Sequence, residues 1–291
     1  MIDATSEPLP RLPVRRADTH KGDYGRGLIV GGSLGMAGAP ALAAMACLRS
    51  GSGLVAVAAP RCVQPTVAAF HPAWTTHALA DDGEGVSELA VETLLTHTEG
   101  ATAVAIGPGL GRGAGAASAV GCVWSQPLPV VIDADGLNAL ASLGPRLAKP
   151  LGPRVLTPHA GEFARLAGRP LADQHDDAER RDAAAKLARS FGPSCVVLLK
   201  GARTVVTDGD RFAVNTTGNP GMATGGVGDV LTGIITGLLC QGLDAFDATR
   251  LGAHVHGLAG DLAAAKLGQT SLIATDLIDE LPAAFCLLSA G

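Results

Sequence analysis

Apolar residues along this 291-residue chain come in short, nearly continuous blocks separated by longer stretches of helical period. Blocks of this kind, without polar alternation, are expected of strands buried on both faces of a sheet. Strands are predicted at Gly27–Gly31, Leu54–Ala58, Ala103–Ile106, Val130–Ile132, Arg154–Leu156 and Cys195–Leu199. Between them, helices are predicted at Ala39–Ser50, near Glu84–His97, at Ala114–Trp124, near Glu162–Ala167 and near Asp176–Arg189. Thr204–Val206 and Arg211–Val214, split by the turn Asp208-Gly209-Asp210, read as a hairpin. Three helices then close the chain at Val230–Leu239, Ala245–Lys266 and Thr275–Leu288. Such β-α alternation implies an α/β fold with a mostly parallel central sheet and helices on both faces. No linker or repeat divides residues 19–291, so they are read as a single domain. Residues 1–18, polar and rich in proline, read as an N-terminal extension expected to be poorly ordered.

Glycine and polar residues cluster directly after these strands. Gly31-Gly32-Ser33, Gly107-Pro108-Gly109-Leu110-Gly111, Asp133-Ala134-Asp135, Thr157-Pro158-His159-Ala160-Gly161-Glu162 and Lys200-Gly201-Ala202-Arg203-Thr204 all occupy that position. In open α/β sheets ligands bind beyond the carboxyl ends of the strands, so these loops are expected to share one cleft. Within them Lys200 is the candidate phosphate cation, against the simpler reading of an exposed lysine. Asp133 and Asp135 could each cap a helix or hold Mg²⁺, and His159 could face a ligand or solvent. His254 and His256, two apart in a helix, read as structural.

The densest signal is Asn215 to Gly233, where five glycines fall between Gly218 and Gly228 just before Asp229 and an apolar helix. Glycine loses the most entropy on ordering, so this density requires positive φ or close approach to a ligand. The free amides and positive dipole at a helix start suit an anion. Gly225, Gly226, Val227 and Gly228 are therefore the candidate anion hole. An Asp beside a bound phosphate repels it unless it serves a hydroxyl facing that phosphate; the competing reading makes Asp229 a helix cap.

Composition narrows the class. The hydrophobic share of 47% supports a sizeable core, and the 3% aromatic share means that core is packed with Ala, Val and Leu. A net charge of −5 argues against a nucleic-acid surface, which needs a basic stripe. The N-terminus lacks the apolar centre of a signal peptide, and the stretch Met36–Leu48 is too short to span a bilayer. No membrane partner and a cytoplasmic location are expected. The six cysteines form no CxxC pair and read as small buried hydrophobes. No Walker-type P-loop is present.

Taken together, these segments resemble the ADP/ATP-dependent NAD(P)H-hydrate dehydratases of the ribokinase-like superfamily. The resemblance is carried by His20-Lys21-Gly22-x-x-Gly25, the loop from Gly31 to Ala39, Ile106–Leu110, Asp133-Ala134-Asp135, Thr157–Glu162, Lys200–Thr204 and Asn219-x-Gly221 through Asp229. It implies that Ala39, Gly109, His159 and Asp229 contact the hydrated NADH or NADPH (NADHX, NADPHX). Lys200, Gly201, Ala202, Arg203, Thr204 and Gly228 would contact the adenine nucleotide. It further implies ADP as phosphoryl donor, Mg²⁺ as cofactor, a homotetramer, and Asp229 as the catalytic base. Thr224 stands where some relatives carry Lys. The epimerase domain that precedes this one in fused members has no counterpart here, which implies a separate epimerase acting upstream. Two rivals share parts of the pattern. A thiazole, pyridoxal or hydroxymethylpyrimidine kinase would keep the glycine loop and Asp229 without the His20-Lys21-Gly22 and Pro158–Glu162 combination. A silent nucleotide-binding regulator would be expected to lose Asp229 or its glycines.

Overall fold

A computed structural model describes residues 1–144 and 147–289. Ten strands form one sheet: β1 (Ile2–Asp3), β2 (Arg26–Val30), β3 (Leu54–Pro60), β4 (Thr75–Leu79), β5 (Ala103–Ile106), β6 (Val130–Ile132), β7 (Arg154–Leu156), β8 (Cys195–Leu199), β9 (Val205–Thr207) and β10 (Arg211–Val214). Their order is β1-β10-β9-β8-β7-β6-β5-β2-β3-β4, with only β8-β9 and β9-β10 antiparallel. The fold class read from the apolar blocks is the one observed. From β2 the chain steps outward through β3 to β4, returns to β5 on the other side of β2, and then proceeds through β6 and β7 to β8. The strand order therefore reverses between β2 and β5, which is where an open α/β sheet presents a crevice.

Alternate residues of each strand enter opposite cores. Ile29, Ala103, Ala105, Val131, Val196 and Leu198 face one layer. That layer holds α1 (Gly38–Arg49), α8 (Val227–Cys240), α9 (Ala245–Leu267) and α10 (Ala274–Ser289). Leu28, Val30, Val104, Ile106, Val130, Ile132 and Val197 face the other. There the helices are α3 (Val91–Thr98), α4 (Ala114–Trp124), α5 (Asp135–Leu143), α6 (Ala160–Ala167) and α7 (Asp177–Phe191), while α2 (Gln64–Phe70) joins β3 to β4. Small residues allow close helix packing: a Cβ on Gly233 of α8 would lie 2.1 Å from the Ala43 carbonyl of α1.

Several elements differ from the sequence reading. The α2–β4 pair and α5 are additions to it, and the helix expected near Glu84–His97 begins only at Val91 after a 3-10 turn, Glu88–Ala90. The segment before residue 19 is tied to the domain. Ile2 and Asp3 pair with Arg211 and Phe212, and the buried Arg250 donates to the carbonyls of Glu7 and Pro8. Of the cysteines, Cys47, Cys195 and Cys240 are buried as expected, but Cys62 and Cys286 are exposed and Cys122 is half-buried. Among the described residues no helix is long and apolar enough to cross a membrane.

Candidate active site

The loops after β2 and β5 meet at the strand-order reversal. Gly32 N–H donates to Pro108 O at 2.9 Å, and Ser33 Oγ donates to Gly109 O at 2.9 Å. Here glycine is obligatory: a Cβ on Gly31 would lie 2.2 Å from Pro108 O. Gly109 has φ +59°, and a Cβ there would lie 3.1 Å from the Ala39 Cβ. The structure thus brings Ala39 and Gly109 together at the first turn of α1.

One turn further along α1, Leu42 meets the start of α8. A Cβ on Gly226 would lie 2.6 Å from Leu42 Cδ1. Gly226 is the N-cap of α8, with φ +86° in the left-handed region, and offers no side-chain cap. Val227, Gly228 and Asp229 follow as the first three helical residues, whose amides lack intrahelical acceptors. Asp229 is therefore not the cap, and the capping reading fails for a geometric reason: the chain enters the helix three residues earlier.

Beneath this helix start lies a charged cluster gathered at the ends of neighbouring strands. Lys200 Nζ, after β8, donates to Asp133 Oδ1, after β6, at 2.7 Å. Thr232 Oγ1, one turn into α8, donates to Asp133 Oδ2 at 2.8 Å. A Cβ on Gly228 would lie 3.3 Å from Lys200 Nζ, so the ammonium sits against the first turn of α8. Asp133 is 1% exposed and caps no helix, since Ala134 is the N-cap of α5, which corrects the capping reading of that residue. Asp135 is the first residue of α5 and accepts from Gly111 N–H at 3.0 Å.

Asp229 is part-buried beside this cluster. Burial, followed by the Asp133 charge, pushes its carboxyl up to about 7, against the opposing pull of Lys200. Burial works against the Lys200 charge, but Asp133 and Glu162 outweigh it and hold its pKa above the ordinary range. Glu162, 6% exposed, is raised chiefly by burial. Its Oε2 accepts from His159 N–H at 2.9 Å, while His159 Nδ1 accepts from Gly161 N–H at 2.9 Å, giving a reciprocal cap for α6. His159 is thus a helix cap with an exposed ring, a role beyond the choice between ligand and solvent. Burial and the nearby Lys200 keep it below its ordinary pKa.

The Lys200–Thr204 loop is held by a residue that sequence reasoning misses. Arg180, 4% exposed on α7, donates to the carbonyls of Leu199 (3.3 Å), Ala202 (2.7 Å) and Arg203 (3.0 Å). Arg203 has φ +56°, a left-handed conformation strained for a residue with a Cβ, and these bonds restrain it; Gly201, at φ +147°, takes its own conformation at no steric cost. Arg180 sits among the charged residues that open α7, and nothing in its spacing marks it. His256 reads from sequence only as structural, yet its Nε2 donates at 2.9 Å to the carbonyl of Val227, the first residue of α8.

Comparison with known proteins then decides the family. Residues 27–283 match the NAD(P)H-hydrate dehydratase family. The chain belongs to that family. It is 48% identical over 276 residues to the bifunctional NAD(P)H-hydrate repair enzyme Nnr of Moorella thermoacetica, covering 94% of this chain and 51% of that protein. The corresponding Escherichia coli enzyme is 40% identical over 272 residues, covering 93% of this chain and 49% of that one. The chain thus spans about half the length of the curated relatives it matches. Among solved structures, the ADP/ATP-dependent NAD(P)H-hydrate dehydratase of Bacillus subtilis, co-crystallised with ATP/Mg²⁺, superposes with TM-score 0.81 at 32% identity, covering 95% of this chain and 94% of that one. Arabidopsis thaliana ribokinase shares the fold alone, with TM-score 0.56 and 15% identity over 88% of this chain and 98% of that one. Ala39 and Leu42, within one turn of α1, thus bring Gly109 and the α8 start to the same end of that helix.

Proposed function

We propose that the chain is an ADP-dependent (S)-NAD(P)H-hydrate dehydratase. The observation that carries this reading is the placement of Asp229, a part-buried carboxylate at the third residue of α8, beside free helix amides and Lys200. The kinase alternative is not favoured, since the kinases that superpose do so at identities that speak for fold only.

In this reading Lys200, Gly201, Ala202, Arg203, Thr204 and Gly228 hold the ADP, and Ala39, Gly109 and His159 line the hydrated dinucleotide. The hydroxyl of the hydrated ring attacks the terminal phosphorus of ADP, the bond to the bridging oxygen breaks, and AMP leaves. Asp229 accepts the hydroxyl proton as the new P–O bond forms. The amides of Val227 and Gly228 stabilise charge on the transferring phosphoryl group. Phosphate is a far better leaving group than hydroxide. The ring nitrogen lone pair expels it, and the neighbouring carbon gives up a proton to restore the reduced nicotinamide. Both NADPHX and NADHX are expected as substrates, because none of the recognised motifs tests the ribose 2′ position.

The donor set decides how Mg²⁺ could be held. Among the described residues no three His, Cys, Asp or Glu groups form a metal cage. Asp133 is occupied by Lys200 and Thr232. A magnesium ion that binds through one or two carboxylates and substrate phosphates fits such a site, with Asp229, Asp135 and Glu162 as the carboxylates that act on one another beside Asp133. When bound, it would neutralise phosphate charge. A homotetramer is part of the proposal and is checked by light scattering; a monomer at micromolar concentration would exclude it. An epimerase acting upstream completes the expected set of partners.

The deciding experiment incubates the protein with chemically hydrated NADPH, Mg²⁺ and either ADP or ATP, following absorbance at the reduced nicotinamide band. Recovery of absorbance with ADP is expected. Turnover with purified ATP and none with ADP would overturn the donor assignment; no recovery with either would overturn the function.

A further inference from the structure

We infer that His256 is a positioning residue for the anion hole, fixing the direction and strength of the Gly228 amide through the peptide unit it shares with Val227. This rests on the functional reading above and adds a residue that the reading does not contain.

The inference starts from what the histidine touches. His256 lies on α9, and its Nε2 is 2.9 Å from the carbonyl oxygen of Val227, the first residue of α8. A carbonyl only accepts, so Nε2 must carry the hydrogen, and the neutral ring then has its lone pair on Nδ1. Burial holds the ring's pKa down to about 4, with the Val227 bond pulling the other way and the Lys200 charge adding to the fall. The ring is therefore a fixed, uncharged donor at neutral pH.

The Val227 carbonyl and the Gly228 N–H belong to one planar peptide unit and point in opposite directions. Holding the oxygen from the α9 side aims the hydrogen out of the helix end. A hydrogen bond accepted at the oxygen also polarises the unit, which strengthens the N–H as a donor. Gly228 most needs this support because it has no side chain of its own to wedge the peptide in place. Its other flank is the Lys200 ammonium. One turn further along α8, Thr232 Oγ1 donates to Asp133. The α8 start is thus pinned on two sides, by the Asp133 contact on the sheet and by His256 on α9. The backbone of α9 is itself tight against the loop leading into this turn: Thr217 Oγ1 donates to His254 O at 2.9 Å, and a Cβ on Gly257 would lie 2.2 Å from Thr217 Oγ1. A donor delivered from α9 therefore comes from a rigid mount.

The test compares His256→Met, which removes the donor and fills the space, with His256→Gln, whose amide N–H can replace Nε2–H. Removing an oxyanion-hole donor outright costs about 10²–10³ in rate, so misaiming one should lower kcat of the Met variant by about 10–100-fold. KM for hydrated NADPH should stay within about threefold, since that ligand lies on the α1 side of the cleft. ADP affinity should fall by roughly tenfold more than adenosine affinity, because only the polyphosphate meets the amides. The Gln variant should recover kcat to within about fivefold of the wild type. A folded Met variant with kcat unchanged, or a Gln variant no better than Met, overturns the inference. If the Met variant does not fold, a folded Gln variant slowed by more than about fiftyfold also overturns it. If the wild type binds ADP but never restores reduced nicotinamide, the functional reading fails, while the ADP-against-adenosine comparison still judges His256.

Discussion

Replacing Asp229 by Asn separates chemistry from architecture at this site. Gly226 rather than Asp229 caps α8, so the helix start does not depend on the carboxylate. Asn is nearly isosteric and leaves packing unchanged. The variant loses the proton acceptor, and losing a general base costs about 10²–10⁴ in rate, or ~2.7–5.5 kcal/mol of barrier. Stability should move the other way. The native carboxyl titrates at about 7 against an ordinary 3.8, so between those values the folded state binds more protons than the unfolded one. This contribution to stability is fully present below about pH 3.8 and is lost as pH rises through about 7. The rise corresponds to at most ~4 kcal/mol, reduced by solvent screening at this part-open position. An amide in place of the carboxylate carries no such loss, so the Asp229→Asn variant should melt higher than the wild type at pH 8 and equally at pH 4. In the wild type, kcat/KM should climb toward a plateau above about pH 7 as the base ionises; the residual rate of the variant should lack that limb. The assays are absorbance recovery on hydrated NADPH with ADP across pH, and thermal melts at both pH values. Retained activity in a folded Asn variant would refute the base assignment, and a lower melting temperature at pH 8 would refute the buried-charge argument.

Lys200→Met should weaken ADP binding by more than about tenfold and, by stranding the buried Asp133 carboxylate, destabilise the fold by ~3–5 kcal/mol; adding Asp133→Asn should return most of the stability but not the binding, as calorimetry and melts would show. Gly226→Ala places a side chain at φ +86°, 2.6 Å from Leu42 Cδ1, so a loss of ~1–3 kcal/mol together with weaker ADP binding is expected, and an unchanged melting temperature would count against the left-handed cap. Gly233→Ala, 2.1 Å from the Ala43 carbonyl, should separate α1 from α8 at a cost of ~1–3 kcal/mol and raise KM for the hydrated dinucleotide; a variant that keeps both wild-type stability and KM would show that this contact does not set the cleft.

The strands that carry the site were legible because each is a continuous apolar block ended by glycine or a polar residue. Leu28–Val30, Ala103–Ile106 and Cys195–Leu199 are buried on both faces, so their pattern leaves no ambiguity of period. Less legible were the elements whose residues compete with their final state. β4, Thr-Thr-His-Ala-Leu at the sheet edge, has mixed exposure and no clean alternation. α5 begins at Asp135 behind Ala134 at φ +50° and carries Gly136 in its first turn, so its start resembles a loop. Of the site, the glycine loop and Lys200 could be read from composition and position. The partnership of Lys200 with Asp133 spans 67 residues and depends on β6 and β8 being placed with only β7 between them, which no local pattern encodes. Arg180 and His256 were hidden for a related reason. Both donate to backbone carbonyls far away in sequence, and a helix's own pattern does not show which distant carbonyl its Arg or His will reach.

Distance between the two halves of the cleft follows from how α1 and α8 pack. Ala39, on the proposed substrate side, lies in the first turn of α1, and Gly226, on the proposed phosphate side, is the N-cap of α8. Along their length the two helices approach through glycine: Gly233 faces the Ala43 carbonyl, and a Cβ on Gly237 would lie 2.7 Å from the Cys47 carbonyl. The spacing of these contacts along both chains, four residues in each, keeps the helices in register toward the cleft. A displacement at Gly233 is therefore carried to the helix starts with little attenuation, because close-packed interiors transmit strain. The alanine-rich faces of α1 and β5 serve the same end, since larger side chains at Ala43, Ala103 or Ala105 would lift α8 off the sheet and draw Thr232 away from Asp133. The low aromatic content noted in the sequence thus has a mechanical counterpart. A core of small residues lets α1 and α8 pack closely enough for the start of α8, Lys200 and Asp133 to meet.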